Sequence, residues 1–274
     1  MAEGHAVARW ADALRPLVGD TIHAVATPPR WRERAERLIG TQLTGLHTHG
    51  KHLVLEFSNG WVIHTHAMQY GSWQIGSRRQ ALRKDARFVR LRLETPRRRA
   101  VFFHGPVMEV LSAEEFAAHD RFHALGPDVL HDGFDVSGAH AAVTSQGERE
   151  IGDVVLDQRV VSGIGNIYKS ECLFLAAIHP QRAASSIGAD ELTTFFAELI
   201  PLMQAGRRQP GMIETLPHEL RYEPWMRTWV YRRRGQPCFV CATPILMVRQ
   251  GDFQRTTYFC PFCQPATAPA STAP

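Results

Sequence analysis

Apolar and polar positions change period along this chain. Over residues 5–18, Val7, Trp10, Ala11, Leu14 and Val18 recur at helical spacing and predict an amphipathic helix beginning almost at the first residue. Leu53, Leu55 and Phe57 then mark a strand, Asn59-Gly60 follows, and an apolar run resumes from Trp61 to His64. Asn-Gly between two such runs is a strong hairpin signal, because both residues tolerate the positive φ of tight turns. Val89, Leu91 and Leu93 alternate cleanly, Pro96-Arg97 marks a turn, and Val101 to Phe103 return. The first 130 residues therefore predict a helix followed by antiparallel strands. Ser112 and Glu115 have the spacing of a capping box that opens a further short helix.

Beyond this point the pattern turns helical. Residues 125–138, rich in Gly, Pro and Asp, read as a linker. Helices are predicted over 139–146, 153–160, 167–176 and 189–205, the last kinked by Pro201. Strand character returns from Tyr231 around a group of cysteines. The tail from Ala266 is Pro, Ala, Ser and Thr, too poor in apolar bulk to fold, and is expected to be disordered.

Composition narrows the class. The 274 residues are 44% hydrophobic and 21% charged, as in a soluble globular protein. No run of about 18 apolar residues predicts a membrane span, and the N-terminus has no basic-then-apolar signal. The net charge of +4 would not by itself indicate a nucleic-acid partner. Its distribution is more telling: residues 206–263 hold nine arginines against four acidic residues, a local excess of five positive charges, as a phosphate-binding surface requires. Lys51, Lys84 and Lys169 are the chain's three lysines among 31 basic residues, which draws attention to each.

Four of the five cysteines form two C-x2-C pairs, Cys238/Cys241 and Cys260/Cys263, eighteen residues apart. Four thiolates at about 2.3 Å satisfy a tetrahedral Zn2+, and a closed four-cysteine site makes such a metal structural. Two redox pairs would need a thioredoxin-like context that this chain lacks. Residues 245–248 and 256–259, around Gln250-Gly251-Asp252, can form the hairpin that carries the knuckles. Cys172, on an apolar helical stretch, reads as a core residue. His47, His49, His52, His64 and His66 crowd one region; they read as strand histidines near a polar cleft, with a second metal site as the alternative.

Asp157-Gln158 precedes Gly163-Ile164-Gly165-Asn166-Ile167-Tyr168. Two glycines between helices permit a tight double turn whose amides and following helix N-terminus suit a phosphate. Asn166 can cap that helix and reach a phosphate as well. With Glu171 and His179-Pro180, this segment resembles the helix–two-turn–helix of the formamidopyrimidine-DNA glycosylase and endonuclease VIII family. Residues 235–238 through 255–264 resemble that family's zinc finger, Leu125-Gly126-Pro127 the end of its first domain, and Glu3-Gly4-His5 and Gly50-Lys51-His52 its active-site segments. The resemblance spans residues 2 to about 264 and is nearer the endonuclease VIII branch.

The resemblance implies an α+β chain of two domains: an N-terminal helix with an antiparallel β-sandwich, then a helical helix–two-turn–helix domain with a C-terminal zinc-finger β-hairpin. Boundaries are expected at 1–130 (catalytic), 131–145 (linker), 146–230 (helix–two-turn–helix), 231–264 (zinc finger) and 265–274 (tail). It further implies a monomeric DNA-repair glycosylase that acts on damaged DNA in the cytoplasm with one structural zinc. Its nucleophile would be the α-amine of residue 2 once Met1 is removed. An α-amine with a pKa of about 7.7–8.0 is partly neutral at pH 7, unlike a lysine at about 10.4. It attacks the sugar C1′, the base leaves, and β-elimination from the Schiff base nicks the strand. Glu3 would move protons at the opening sugar, and Lys51 would contact the lesion-site phosphate and assist acid catalysis. Met68-Gln69-Tyr70, before Gly71-Ser72-Trp73, match the residues that fill the space left by a flipped base. Asn166 and Arg255 match phosphate contacts. The loop that chooses the lesion would fall within residues 206–222.

Most members of that family begin Met-Pro-Glu-Gly, whereas this chain begins Met1-Ala2-Glu3-Gly4. A primary amine can still form an imine, but alanine leaves its direction free where proline fixes it. A lyase using Ala2, a water-using glycosylase with Glu3 as base, one specialised for bulky alkylated or crosslinked bases, and a non-catalytic damage binder are the readings this leaves. Glu3 and Lys51 favour an enzyme, since binding alone needs neither.

Overall fold

The computed structural model describes residues 2–209, 211, 213–221, 223 and 226–266. The chain forms two compact units that meet between Ala124 and Leu125. Among the described residues no helix is long and apolar enough to cross a membrane.

The first unit contains α1 (Gly4–Leu14), β1 (Ala24–Ala26), α2 (Arg32–Glu36), β2 (Leu43–His49), β3 (His52–Phe57), β4 (Val62–His66), β5 (Ser72–Ser77), β6 (Val89–Glu94), β7 (Arg98–Phe103), β8 (Val107–Leu111), α3 (Ala113–Ala117) and α4 (Asp120–His123). Two four-stranded antiparallel sheets form, in the orders β1-β6-β7-β5 and β2-β3-β4-β8. Val7, Ala11 and Leu14 of α1 share one apolar core with Leu53, Leu55 and Ile63 of one sheet and Leu91, Leu93 and Phe102 of the other. Because alternate strand residues face opposite ways, the sheet β2-β3-β4-β8 keeps a second face for other side chains. The Asn59-Gly60 hairpin forms as a three-residue loop: Phe57 N donates to Trp61 O at 3.0 Å. The expected capping box at Ser112 and Glu115 opens α3.

The second unit contains α5 (Val136–Thr144), α6 (Ile151–Val154), α7 (Asn166–Leu175), α8 (Ala189–Arg208), β9 (Leu246–Gln250) and β10 (Arg255–Phe259). Its main core joins Ala139 and Val143 of α5 to Tyr168 and Cys172 of α7 and to Phe195, Phe196 and Leu199 of α8. Cys172 is buried there, as expected. A smaller cluster places Phe174, Val230 and Ile245 with the cysteines around the β9–β10 hairpin.

Three expectations need correction. The helix expected over 153–160 stops at Val154. The Asp157 carboxylate accepts from the Arg159 amide at 3.1 Å and from its guanidinium, a local turn that competes with helix. The helix expected over 139–146 starts three residues earlier, at an Asp135 cap that accepts from Ser137 N. Most consequentially, residues 125–145 are neither the end of the first domain nor a linker. Gly126 N donates to Gln158 O, Val129 N to Ser162 O, and Ser162 N to Pro127 O. A Cβ on Gly126 would lie 2.6 Å from the carbonyl oxygens of Arg159 and Val160, so glycine permits this close approach. The expected tail lies outside the described residues from 267 onward, and the 206–222 loop is described only in part.

Candidate active site and metal centre

Glu3 occupies the position before α1 with extended backbone, φ −114° and ψ 170°. Its carbonyl accepts from Ala6 N at 2.9 Å, which starts the helix, and its side chain is wholly buried. Ala2 packs against the sandwich core. The chain's first residues are thus built into the fold, with an acid held inside protein beside the N-terminus. His5, two residues further, is also buried, and burial with the charge of Arg9 lowers its pKa to about 4.

Lys51 sits in the two-residue turn between β2 and β3, where His49 pairs with His52. Gly50 precedes it at φ +56°, the left-handed value that the first position of such a turn demands. A rigid hairpin therefore presents the lysine. Burial, with Lys51 as the largest nearby charge, lowers the pKa of His66 to about 4.

Met68, Gln69 and Tyr70 form the connection from β4 to β5 and are exposed, Met68 to 45% and Tyr70 to 74%. Met68 takes φ +49°, unusual for a non-glycine residue, and its amide donates to His66 Nδ1 at 3.1 Å. An apolar and an aromatic side chain displayed on a constrained loop suit insertion into a base stack.

The five histidines do not act as one group. His47 Nε2 contacts Glu56 at 3.0 Å on the surface. His49 lies edge-on to Phe122. His52, His64 and His66 share the second face of the sheet; the rings of Phe116 and Phe122 lie against His64, that of Phe122 also against His52, and His66 meets His52. Two partners were missed in the sequence. Glu109 on β8 accepts from His64 Nδ1 at 2.8 Å and from His119 Nε2 at 3.2 Å. The alternation of His64-Thr65-His66 shows that the two histidines share a face, but nothing local names Glu109, 45 residues away.

In the second unit the four cysteines come together as the spacing predicts. Their sulfurs lie 3.4 Å (Cys241–Cys260), 3.5 Å (Cys241–Cys263) and 3.9 Å (Cys238–Cys263) apart. Tetrahedral coordination with 2.3 Å bonds needs sulfurs about 3.8 Å apart, so the donor set fits a metal ion. The hairpin β9–β10 is pinned to its surroundings by the buried Gln250, which donates to Glu150 at 2.7 Å and to Pro180 O at 2.9 Å. Arg255 begins β10 opposite Gln250 and is half-buried.

Asn166 does not cap the helix as expected. Gly165 is the cap of α7 and Asn166 its first helical residue, with no side-chain cap. Its amide instead donates to Thr256 O at 2.7 Å, and Lys169, fully buried, donates to the same carbonyl at 3.4 Å. Ahead of them, Gln158 accepts from Gly163 N and donates to Leu156 O and Ile164 O, which fixes the double turn. Glu171 on α7 is completely buried. It accepts from the amides of Trp229 at 2.7 Å, Val230 at 2.9 Å and Tyr231 at 2.7 Å, and from the Thr215 hydroxyl. Burial pushes its pKa up, against the pull of those donors.

The chain matches the formamidopyrimidine-DNA glycosylase N-terminal domain over residues 1–107 and the formamidopyrimidine-DNA glycosylase H2TH domain over 125–215. It is 33% identical to endonuclease 8 1 of Mycobacterium tuberculosis over 96% of this chain and 100% of that protein. The chain belongs to the formamidopyrimidine-DNA glycosylase/endonuclease VIII family. Within it, the chain is also 34% identical to the probable endonuclease 8 2 of Streptomyces coelicolor (85% of this chain, 82% of that one). Identity is likewise 34% to the formamidopyrimidine-DNA glycosylase of Methylococcus capsulatus (86% and 88%). A Lactococcus lactis formamidopyrimidine-DNA glycosylase, solved non-covalently bound to DNA containing an abasic site, shares the fold at a TM-score of 0.78 and 22% identity, covering 96% of this chain and all of that one. The family's helix–two-turn–helix domain begins at residue 125, where the second unit begins here. As a member of this glycosylase family, the chain has its first residues inside the matched N-terminal domain and its cysteine knuckles beyond both matched segments.

Proposed function

We propose that this protein is a DNA glycosylase that flips a damaged base out of the duplex, excises it, and opens the resulting abasic site through the α-amine of Ala2. The carrying observation is the N-terminus: Glu3 is entirely buried one residue from Ala2, at the start of a helix packed into the core. Burying a carboxylate is costly. A chemical duty at the N-terminal amine accounts for keeping it.

After removal of Met1, the Ala2 amine attacks C1′ of the damaged nucleotide. The C1′–N bond breaks, the base leaves with its electron pair, and Glu3 supplies and removes protons as the sugar opens. Lys51 holds the lesion-site phosphate. Met68, Gln69 and Tyr70 fill the vacancy in the stack, and Asn166 and Arg255 bind phosphates. Cys238, Cys241, Cys260 and Cys263 hold one Zn2+ that stabilises the hairpin and takes no part in the reaction. The substrates are oxidised pyrimidines or related lesions, and the protein acts as a monomer on chromosomal DNA in the cytoplasm. Ala2 in place of proline favours a second route, in which water activated by Glu3 displaces the base and the strand stays intact.

The test is base release from duplexes carrying oxidised pyrimidines, formamidopyrimidines or bulky alkylated bases. Release from at least one, lost in Glu3→Gln, is expected. DNA binding without release from any would make the protein a damage binder. Binding should also weaken steeply with salt, since phosphate contacts dominate such affinities.

A further inference from the structure

Beneath the Lys51 hairpin and the Met68–Tyr70 loop lies a row of polar groups with one consistent placement of protons. His119 Nδ1 accepts from Phe122 N at 3.1 Å, so the proton of the neutral ring sits on Nε2 and is donated to Glu109. Glu109 Oε2 also accepts from His64, which places that ring's proton on Nδ1. His64 Nε2 is then an acceptor, and its partner at 2.8 Å, His52 Nδ1, must donate. His66 Nδ1 accepts from Met68 N, so its proton is on Nε2, and its ring meets His52 edge-on at 4.5 Å. Burial lowers the pKa of His52, His64 and His66, which keeps these rings neutral at pH 7.

The same polarity argues against His64, Glu109 and His119 as a metal site, although their ligand atoms lie within 4.8 Å of one another. A histidine that ligates through Nε2 ordinarily donates from Nδ1. His119 Nδ1 receives a backbone N–H instead.

The row reaches both loops. His52 follows Lys51 directly in the chain. His66 holds the amide that keeps Met68 in its left-handed conformation. Glu109 anchors the row through one carboxylate oxygen that accepts from His64 and from His119. We propose that Glu109, His64, His52 and His66 form a positioning row that sets the lysine hairpin and the base-replacing loop in one fixed relation, so that flipping and phosphate contact occur together. This rests on the reading of those two loops given above. None of the four need touch the reacting atoms.

The test compares Glu109→Ala with Glu109→Gln, whose amide oxygen can still accept both N–H bonds. On a lesion duplex with 2-aminopurine opposite the damaged base, Glu109→Ala should slow single-turnover base release ~10-fold and reduce the fluorescence change that reports loop insertion. Glu109→Gln should stay within about twofold of wild type. Imidazole 15N spectra of the unmodified protein provide a second readout that needs neither a stable variant nor activity. They should show Nδ1–H on His52 and His64 and Nε2–H on His66 and His119. The row is refuted if a folded Glu109→Ala protein keeps wild-type rate and fluorescence, if the tautomers differ, or if a second zinc equivalent binds at His64 and His119. A wild-type protein that releases no base would sink the functional reading, while the tautomers still decide the row.

Discussion

The side-chain amide of Asn166 donates to the backbone carbonyl of Thr256 at 2.7 Å, across 90 residues of chain, and so ties the first turn of α7 to the strand that follows the tip of the β9–β10 hairpin. The hairpin is short and gains its rigidity from its knuckles, because two strands alone are marginal in water. Removing the metal should therefore loosen Thr256 and, through it, the start of α7. Treatment with a strong chelator should lower DNA affinity at least ~10-fold, because a structural zinc supplies folding free energy to its domain. Circular dichroism should show the β-sandwich intact, since its core contains no cysteine. Undiminished binding by metal-free protein would separate the hairpin from the DNA surface.

Glu171 holds the segment that leads into the first knuckle. Its carboxylate accepts from three consecutive amides, Trp229, Val230 and Tyr231, in a place water does not reach. Glu171→Ala leaves all three N–H groups buried without that acceptor, at about 1–3 kcal/mol each. A loss of at least about 3 kcal/mol is expected in denaturant unfolding of the second unit. Loss below about 1 kcal/mol would mean that the segment relaxes to find other partners.

Acid should weaken the first unit through its histidines. Burial lowers His5 and His66 to about 4 and His52 to about 2, whereas all three return to about 6.5 when unfolded. The unfolded chain then binds more protons below pH 6.5, so the stability present above that pH is lost as pH falls, until each folded pKa is reached. From pH 7 to pH 5 the loss is about 2 kcal/mol for each imidazole. Urea unfolding at the two pH values measures it, and equal stability would contradict the buried, neutral state of these rings.

The features legible in the sequence are those whose cause is local. The spacing of Val7, Ala11 and Leu14 predicts α1, two C-x2-C pairs predict the sulfur cluster, and Ser112 with Glu115 predicts the capping box of α3. What was misread depends on distant partners. Residues 125–138 have linker composition, yet Gly126 is a glycine because the carbonyls of Arg159 and Val160 press against it. Asn166 has the chemistry of a cap, yet it stands one residue inside the helix, where its amide N–H goes to Thr256. The crowding of histidines is visible, but strand register decides that His64 faces Glu109. Periodicity identifies a face of a sheet and leaves the residue opposite unnamed.

The proposed nucleophile is the amine of Ala2. Borohydride reduction during reaction with an abasic-site duplex, followed by mass spectrometry of the digested adduct, tests it directly. A covalent protein–DNA product is expected, with the added sugar mass on the N-terminal peptide beginning at Ala2, and it should be lost when the N-terminus is extended. An adduct on Lys51, or no adduct from a preparation that releases damaged bases, would contradict it.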